Sequence, residues 1–206
     1  KYSLRYFKKI LLGKNESISV KIRILNALKE LKDDRCLDFI LPLLKSDSKA
    51  IRYNTLDTIA IFKILKSKSK QEMHLKYKII KSLKTLYKIE ESPEVIYKII
   101  DVMSKINAIS TIEFLLDILI NSHGQSKTEA IRAVGEYGDN NLLKYITPYL
   151  NSRSINEKTA AIITLTQFDE TKDEALKLLK SYMNSESPSL VNKSIYIIGE
   201  LKLYKY

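Results

Sequence analysis

Apolar residues recur at spacings of three, four and seven along the whole chain, and no alternating run is long enough for a strand. This spacing predicts twelve helices, near residues 2–12, 17–32, 35–46, 49–65, 70–89, 93–106, 109–122, 125–137, 140–151, 155–168, 171–184 and 188–203. Start signals support several of them. Ser92-Pro93 and Ser187-Pro188 put a capping hydroxyl before a first-turn proline, and Ser17, Ser48 and Asn140 stand where the free amides of a first turn need an acceptor. Connections of two to five residues force neighbouring helices to run antiparallel.

The same passage is written several times over. FILPLLKS at 39–46 matches YITPYLNS at 145–152, and in each the proline lies nine residues before the apolar pattern of the next helix, at Ile51 and at Glu157. Aligning the second helix of each pair gives starts at Val20, Ile51, Val95, Ser126, Glu157 and Leu190, with steps of 31, 44, 31, 31 and 33 residues. One lengthened first helix, 70–89, accounts for the odd step. A fixed period of this size means units that pack only on their neighbours, so residues 1–206 are expected to form one continuous repeat domain.

The run AVGEYGD at 133–139, with a small residue, a large apolar residue, Gly and then Gly-Asp, resembles the HEAT-like repeat of the short, phycobilisome-lyase type. Pro42 and Pro148 in first helices match it, as do Lys21, Arg52, Lys127 and Lys158 opening second helices. Asp33 and Asp139, with Glu170 as a variant, match the acidic turn residue that in this family reaches the basic residue of the next repeat. The pattern covers most of the chain and is sharpest at 126–152; the third pair departs in length, and Ile96 and Val191 replace the basic residue. The resemblance implies an all-α, right-handed α-solenoid of about six antiparallel helical pairs, a HEAT-like superhelix whose second helices line the concave side. It implies no function.

Composition narrows the chemistry. A single cysteine, Cys36, makes no internal disulfide. His74 and His123 have no partner ligand at metal spacing on a helical face, and the paired His-Glu motifs of di-iron hydroxylases built on similar repeats are missing. There is no phosphate-binding glycine loop, no nucleophile elbow and no tryptophan for a base-binding cleft. The expectation is a protein that is not an enzyme and carries no metal or cofactor. The strongest apolar run, IEFLLDILI at 112–120, is interrupted by acids and reads as an amphipathic helix rather than a membrane span. The chain opens at Lys1 without a methionine, so a longer native chain, with a signal or anchor removed upstream, is one expectation and a cytoplasmic protein the other.

Net charge is +11, but 29 of the 35 basic residues are lysine, a bias that an AT-rich genome imposes whatever the protein does. The excess is confined: residues 1–105 carry 24 basic and 12 acidic side chains, against 11 and 12 in 106–206. Lys70, Lys81, Lys84 and Lys88 fall within roughly 60° of one another on one helix, with His74 and Lys78 alongside and Met73, Ile80, Leu83 and Leu86 mostly opposite. Such a stripe offers sequence-independent contact to a nucleic-acid backbone.

The second helices point elsewhere. Three positions along each are expected to face away from the core, giving the rows Ile22, Tyr53, Tyr97, Thr128, Thr159, Asn192, then Asn26, Asp57, Asp101, Arg132, Ile163, Tyr196, and last Glu30, Ile61, Lys105, Glu136, Gln167, Glu200. These rows are aromatic, aliphatic and slightly acidic, which suits a protein partner better than a phosphate backbone. Tyr53, Asp57, Tyr97, Asp101, Arg132 and Tyr196 are the expected partner-binding residues. The final helix, with Ile195, Tyr196, Ile197, Ile198, Leu201, Leu203 and Tyr204, is apolar almost all round, so further chain or a second subunit is expected to cover it.

Overall fold

A computed structural model describes residues 2–13, 16–67, 69, 72–106 and 108–203, with the backbone alone for Tyr2 and Ser3. Twelve α-helices stand among them: α1 (Tyr2–Leu12), α2 (Ile18–Leu31), α3 (Leu37–Ile40), α4 (Lys49–Ile59), α5 (Met73–Ile89), α6 (Pro93–Ser104), α7 (Ile109–Asn121), α8 (Gly124–Glu136), α9 (Leu143–Ile146), α10 (Ile155–Leu165), α11 (Asp169–Met183) and α12 (Pro188–Glu200). No strand occurs among the described residues, and the fold is all-α and of the helical-repeat class. The chain divides into two compact units, Lys1–Thr111 and Ile112–Tyr206.

Two of the expected helices are broken. The 35–46 segment is a 3-10 turn at Asp34–Cys36, the short α3, and a second 3-10 turn at Leu41–Lys45; the 140–151 segment repeats this with Asn140–Leu142, α9 and Thr147–Asn151. The cause is the proline each contains. Pro42 and Pro148 have no N–H to give to the carbonyl four residues back, so the helix tightens there into a 3-10 turn. The local geometry recurs across the two units: Asp33 and Asp139 cap the entry turns by accepting from the amides of Arg35 at 3.1 Å and Asn141 at 2.9 Å. Asn140, the expected cap, lies one residue inside. The 49–65 helix also shortens, ending at Ile59 before a 3-10 turn at Lys63–Leu65.

Serines open most second helices, and a serine pair precedes α4, α10 and α12. Ser17, Ser48 and Ser154 accept from the amides of Val20, Ile51 and Glu157 at 3.3, 3.4 and 3.4 Å. Upstream, Ser46 Oγ accepts from Ser48 N at 3.3 Å, Ser152 Oγ from Ser154 N at 3.0 Å and Ser185 Oγ from Ser187 N at 3.2 Å. Ser92 and Ser187 hold the cap positions of α6 and α12, yet their hydroxyls do not cap. Ser92 Oγ donates to Glu94 instead, at 2.7 Å.

In the first unit α4 packs between α2 and α6, and the Leu41–Lys45 turn packs on α4 and α5. In the second, α10 packs against α8, α11, α12 and the Thr147–Asn151 turn, which leaves Thr159 to Leu165 buried without a break. The approach of α8 to α10 depends on Gly135: a Cβ there would stand 2.0 Å from Thr164 Cγ2. Gly138 ends the same motif with φ +73°, a conformation that strains any residue with a side chain. At the corresponding place in the first unit Lys32 adopts φ +49° without that freedom.

The expected link from acidic turn to the next repeat's basic residue is not formed. Asp33 is taken by the guanidinium of Arg35 in its own turn, which holds its carboxyl below the usual carboxylate range although burial opposes this. Glu170 accepts from Asn140 Nδ2 at 2.6 Å, one repeat back. The basic residues take other partners: Lys21 Nζ donates to the Gly13 carbonyl at 2.6 Å, and Arg52 to those of Ser46 and Asp47 and to the Glu90 carboxylate. In the second unit they lie over tyrosines, Lys127 above Tyr149 and Lys158 above Tyr182, each 5.8 Å from the ring centre. Those tyrosines donate to the carbonyls of Leu119, at 3.2 Å, and Leu150, at 3.5 Å. Burial raises both phenol pKa values.

Candidate partner-binding face

Three second helices of the first unit, α2, α4 and α6, lie side by side, and a chain of alternating charges crosses them. Lys29 Nζ on α2 meets Asp57 Oδ2 on α4 at 2.6 Å. Lys98 Nζ on α6 meets the other oxygen, Asp57 Oδ1, at 2.9 Å and Asp101 Oδ2 at 3.0 Å, and Lys105 Nζ meets Asp101 Oδ1 at 2.7 Å. Lys98 also stands 6.0 Å from the centre of the Tyr53 ring. Its side chain is only 16% exposed, whereas Tyr53 is 38% exposed and offers its outer edge to solvent.

Helix spacing accounts for the cluster. Tyr53 and Asp57 are one turn apart on α4, as are Tyr97 and Asp101 on α6, so each pair shares a helix face. The α4 face opposite is fixed by Thr55 and Thr58, both buried; Thr58 Oγ1 donates to Asn54 O at 2.7 Å and lies 3.3 Å from Leu25 O of α2. Burial pushes the Asp57 pKa up, but hydrogen bonds from Lys29 and Lys98 outweigh it and hold the carboxyl below its ordinary value. For Lys98 burial acts downward and the two aspartates prevail, raising its pKa. The row expected to be slightly acidic is therefore neutralised: three lysines answer two aspartates.

In the second unit the rows hold in part: Glu136, Gln167, Asn192, Tyr196 and Glu200 are exposed. Thr128, Thr159 and Ile163 were expected to face outward and are buried at 5% exposure each. The threonines satisfy their hydroxyls inside the helix, Thr128 by donating to Gly124 O at 3.2 Å and Thr159 to Ile155 O at 2.6 Å, so nothing opposes their burial. Arg132 is half-buried, 3.6 Å from Glu200, with its Nε buried and unpaired among the described residues. Tyr196 is 54% exposed with Lys193 5.9 Å from its ring, beside Ile195, which is 59% exposed.

The lysine stripe comes out mixed. Lys70 lies outside the described residues. Lys78 pairs with Asp38 at 3.3 Å, Lys84 is half-buried, and Lys81 and Lys88 are exposed. Ile80, Leu83 and Leu86 are buried as expected, but Met73 is 57% exposed and Tyr77 63%. Both sit on the lysine side of α5, so the face is not purely cationic.

Cys36 is fully buried, and burial raises its thiol to about 12, with Asp33 and Asp34 adding to the effect. A thiolate at that position is disfavoured. His74 and His123 are exposed, and among the described residues no group of histidine, cysteine and carboxylates is placed to hold a metal ion. Among these residues no helix is long and apolar enough to cross a membrane.

No family model matches the sequence, and a search of curated proteins finds no relative. Solved structures do resemble it. The complex of CpcE and CpcF of phycocyanin lyase from Nostoc sp. PCC7120 contains a chain with a TM-score of 0.62 and 12% identity, over 95% of this chain and 76% of that one. A designed armadillo repeat protein gives a TM-score of 0.49 at 15% identity, over 95% and 98%. The likeness is one of fold, and it agrees with the HEAT-like repeat of the phycobilisome-lyase type that the sequence motifs resemble.

Proposed function

We propose that this chain is a non-catalytic scaffold or adaptor that holds a protein partner on the α2–α4–α6 face of its first unit, around Tyr53, Asp57, Tyr97 and Asp101. The observation that carries this reading is the Lys98 ammonium, which is shared by Asp57 and Asp101 and lies beside Tyr53. One cation thereby orders side chains from two helices before a partner arrives, which lowers the ordering cost of association. A partly exposed tyrosine beside neutralised charge is also the composition of an interface centre. The similar CpcE–CpcF structure is itself a complex of two proteins, which supports a partner-holding use of such a fold. Arg132 and Tyr196 form a separate candidate patch on the second unit.

Site-specific photocrosslinking tests the reading. A benzophenone amino acid at position 53 or 97 should give the same protein adduct in native extract, and the same label at the exposed Lys180 should not. Adducts that are equal at all three positions, or missing at 53 and 97, would reject the assignment. A second reading, backbone binding of nucleic acid along α5, is favoured by one observation: Lys81 and Lys88 are exposed and form no ion pair among the described residues. Anisotropy of mixed-sequence DNA and RNA checks it, since log affinity should fall with log salt by about 0.9 for each lysine engaged.

A further inference from the structure

On the first-helix side of the first unit, the Leu41–Lys45 turn and α5 pack together at their base and leave a groove open above it. The groove between them has Leu41, Leu44 and Leu86 as its floor, Thr85 on one wall and the 70% exposed Ile89 as a lip. Its middle stretch encloses about 350 Å³. The opening follows from Pro42, since a 3-10 turn presents a narrower and differently spaced ridge than the α-helix that would otherwise fill the space. Lining residues of α5 run from Lys78 to Ile89, roughly 16 Å along the axis.

Charge at the rim is arranged rather than general. Lys45 on the turn and Lys81 on α5 stand on opposite walls, both exposed and neither in an ion pair among the described residues. At one end Lys78 is already matched by Asp38, and at the other Arg52 is matched by Glu90, with Asp47 and Glu91 nearby. Uncompensated positive charge is thus concentrated where the floor is most apolar. An apolar floor between two helices with one cation on each side is complementary to an amphipathic helix whose apolar stripe is flanked by carboxylates.

We propose that this groove docks a short acid-flanked amphipathic helix, of about three turns, supplied by a protein partner. The surface is distinct from the α2–α4–α6 face, so the proposal stands independently of the one above and gives the adaptor a second point of attachment.

The test is an anisotropy titration of the whole chain with a fluorescein-labelled peptide of about 12 residues. The peptide carries leucine at the first, fourth, fifth and eighth positions and glutamate at most others. Controls are the same peptide with glutamine for glutamate, and single-stranded DNA of equal net charge. The glutamate peptide should bind at least about tenfold more tightly than the glutamine peptide. Lys45→Glu with Lys81→Glu should abolish binding, and Thr85→Trp, which fills the groove without altering charge, should abolish it too. Tyr53→Ala with Tyr97→Ala should leave it unchanged, which separates this site from the tyrosine face. No binding of the glutamate peptide, binding that survives Thr85→Trp, or equal binding of DNA would overturn the proposal, the last by showing simple polyanion adsorption.

Discussion

Arg52 and Glu90 meet fork to fork: Arg52 Nε donates to Oε2 at 2.6 Å and Nη2 to Oε1 at 2.7 Å, with the Glu90 side chain only 1% exposed. The remaining nitrogen, Nη1, donates to the carbonyls of Ser46 and Asp47 at 2.9 and 3.0 Å. One guanidinium therefore joins the end of the Leu41–Lys45 turn, the start of α4 and the end of α5. Glu90 Oε1 also accepts from Ser92 N at 3.0 Å, the task done elsewhere by the first serine of the pair.

Removing one partner strands the other in a buried site. Arg52→Ala should destabilise the first unit by about 3 kcal/mol, read as a lowered urea midpoint. Arg52→Lys should recover little of this, because an ammonium lacks the planar fork that meets two carboxylate oxygens and two carbonyls together. Near-full recovery by lysine would mean that charge alone matters there.

Acid should act through the same pair. The Glu90 carboxyl is held below its reference value of 4.5 by hydrogen bonds from Arg52, and that of Asp57 below 3.8 by Lys29 and Lys98 against the effect of burial. Both folded values are depressed, so the stability they contribute is complete above the unfolded values and is lost as pH falls through the folded ones. Urea midpoints should be level above about pH 5 and decline below about pH 4, with a shallower decline in Arg52→Ala. Lys98 has the opposite sign: its folded pKa is raised above 10.5, so its contribution is full below that value and lost as pH rises past the folded one.

Glycine substitutions should separate two causes. Gly135→Ala drives a methyl into Thr164 and should cost about 1–3 kcal/mol through forced separation of α8 and α10. Gly138→Ala meets no neighbour and should cost only about 1 kcal/mol for its positive φ. Conversely Lys32→Gly relieves the same backbone strain at φ +49° and should stabilise the first unit by roughly 0.5–1 kcal/mol. Thermal midpoints of the three variants are the check.

Cys36 should be inert in the folded protein. With the thiol buried and its pKa at about 12, a maleimide at neutral pH should react only as the first unit opens, and readily in denaturant. Native labelling at the rate of a free thiol would show that Cys36 is not buried in the folded protein.

Periodicity made the helices legible, and AVGEYGD marked the repeat; the structure adds that Gly135 serves a close approach and Gly138 a left-handed turn. What periodicity did not convey was side-chain company. The pairs SDS, SRS and SES at 46–48, 152–154 and 185–187 are visible in the sequence as a recurring serine two residues before a helix cap, and they went unread because capping rules look at one position at a time. Thr128 and Thr159 were placed outside by counting positions along each second helix, whereas a helix carbonyl satisfies their hydroxyls and lets them turn inward. Lys29 of α2 and Lys98 of α6 both reach Asp57 of α4, and pairing across helices leaves no trace in one-dimensional spacing.

The lysine-covered tyrosines of the second unit have a consequence for how such a chain grows. Tyr182 sits 33 residues after Tyr149, and each reaches the carbonyl and the lysine contributed by the stretch immediately before it. A segment of that length carries one plug and one socket. Duplicating it in frame adds a link whose two ends are already matched to its neighbours, and excising it rejoins ends of the same kind. Such a cassette can change in number without any compensating change in the links on either side.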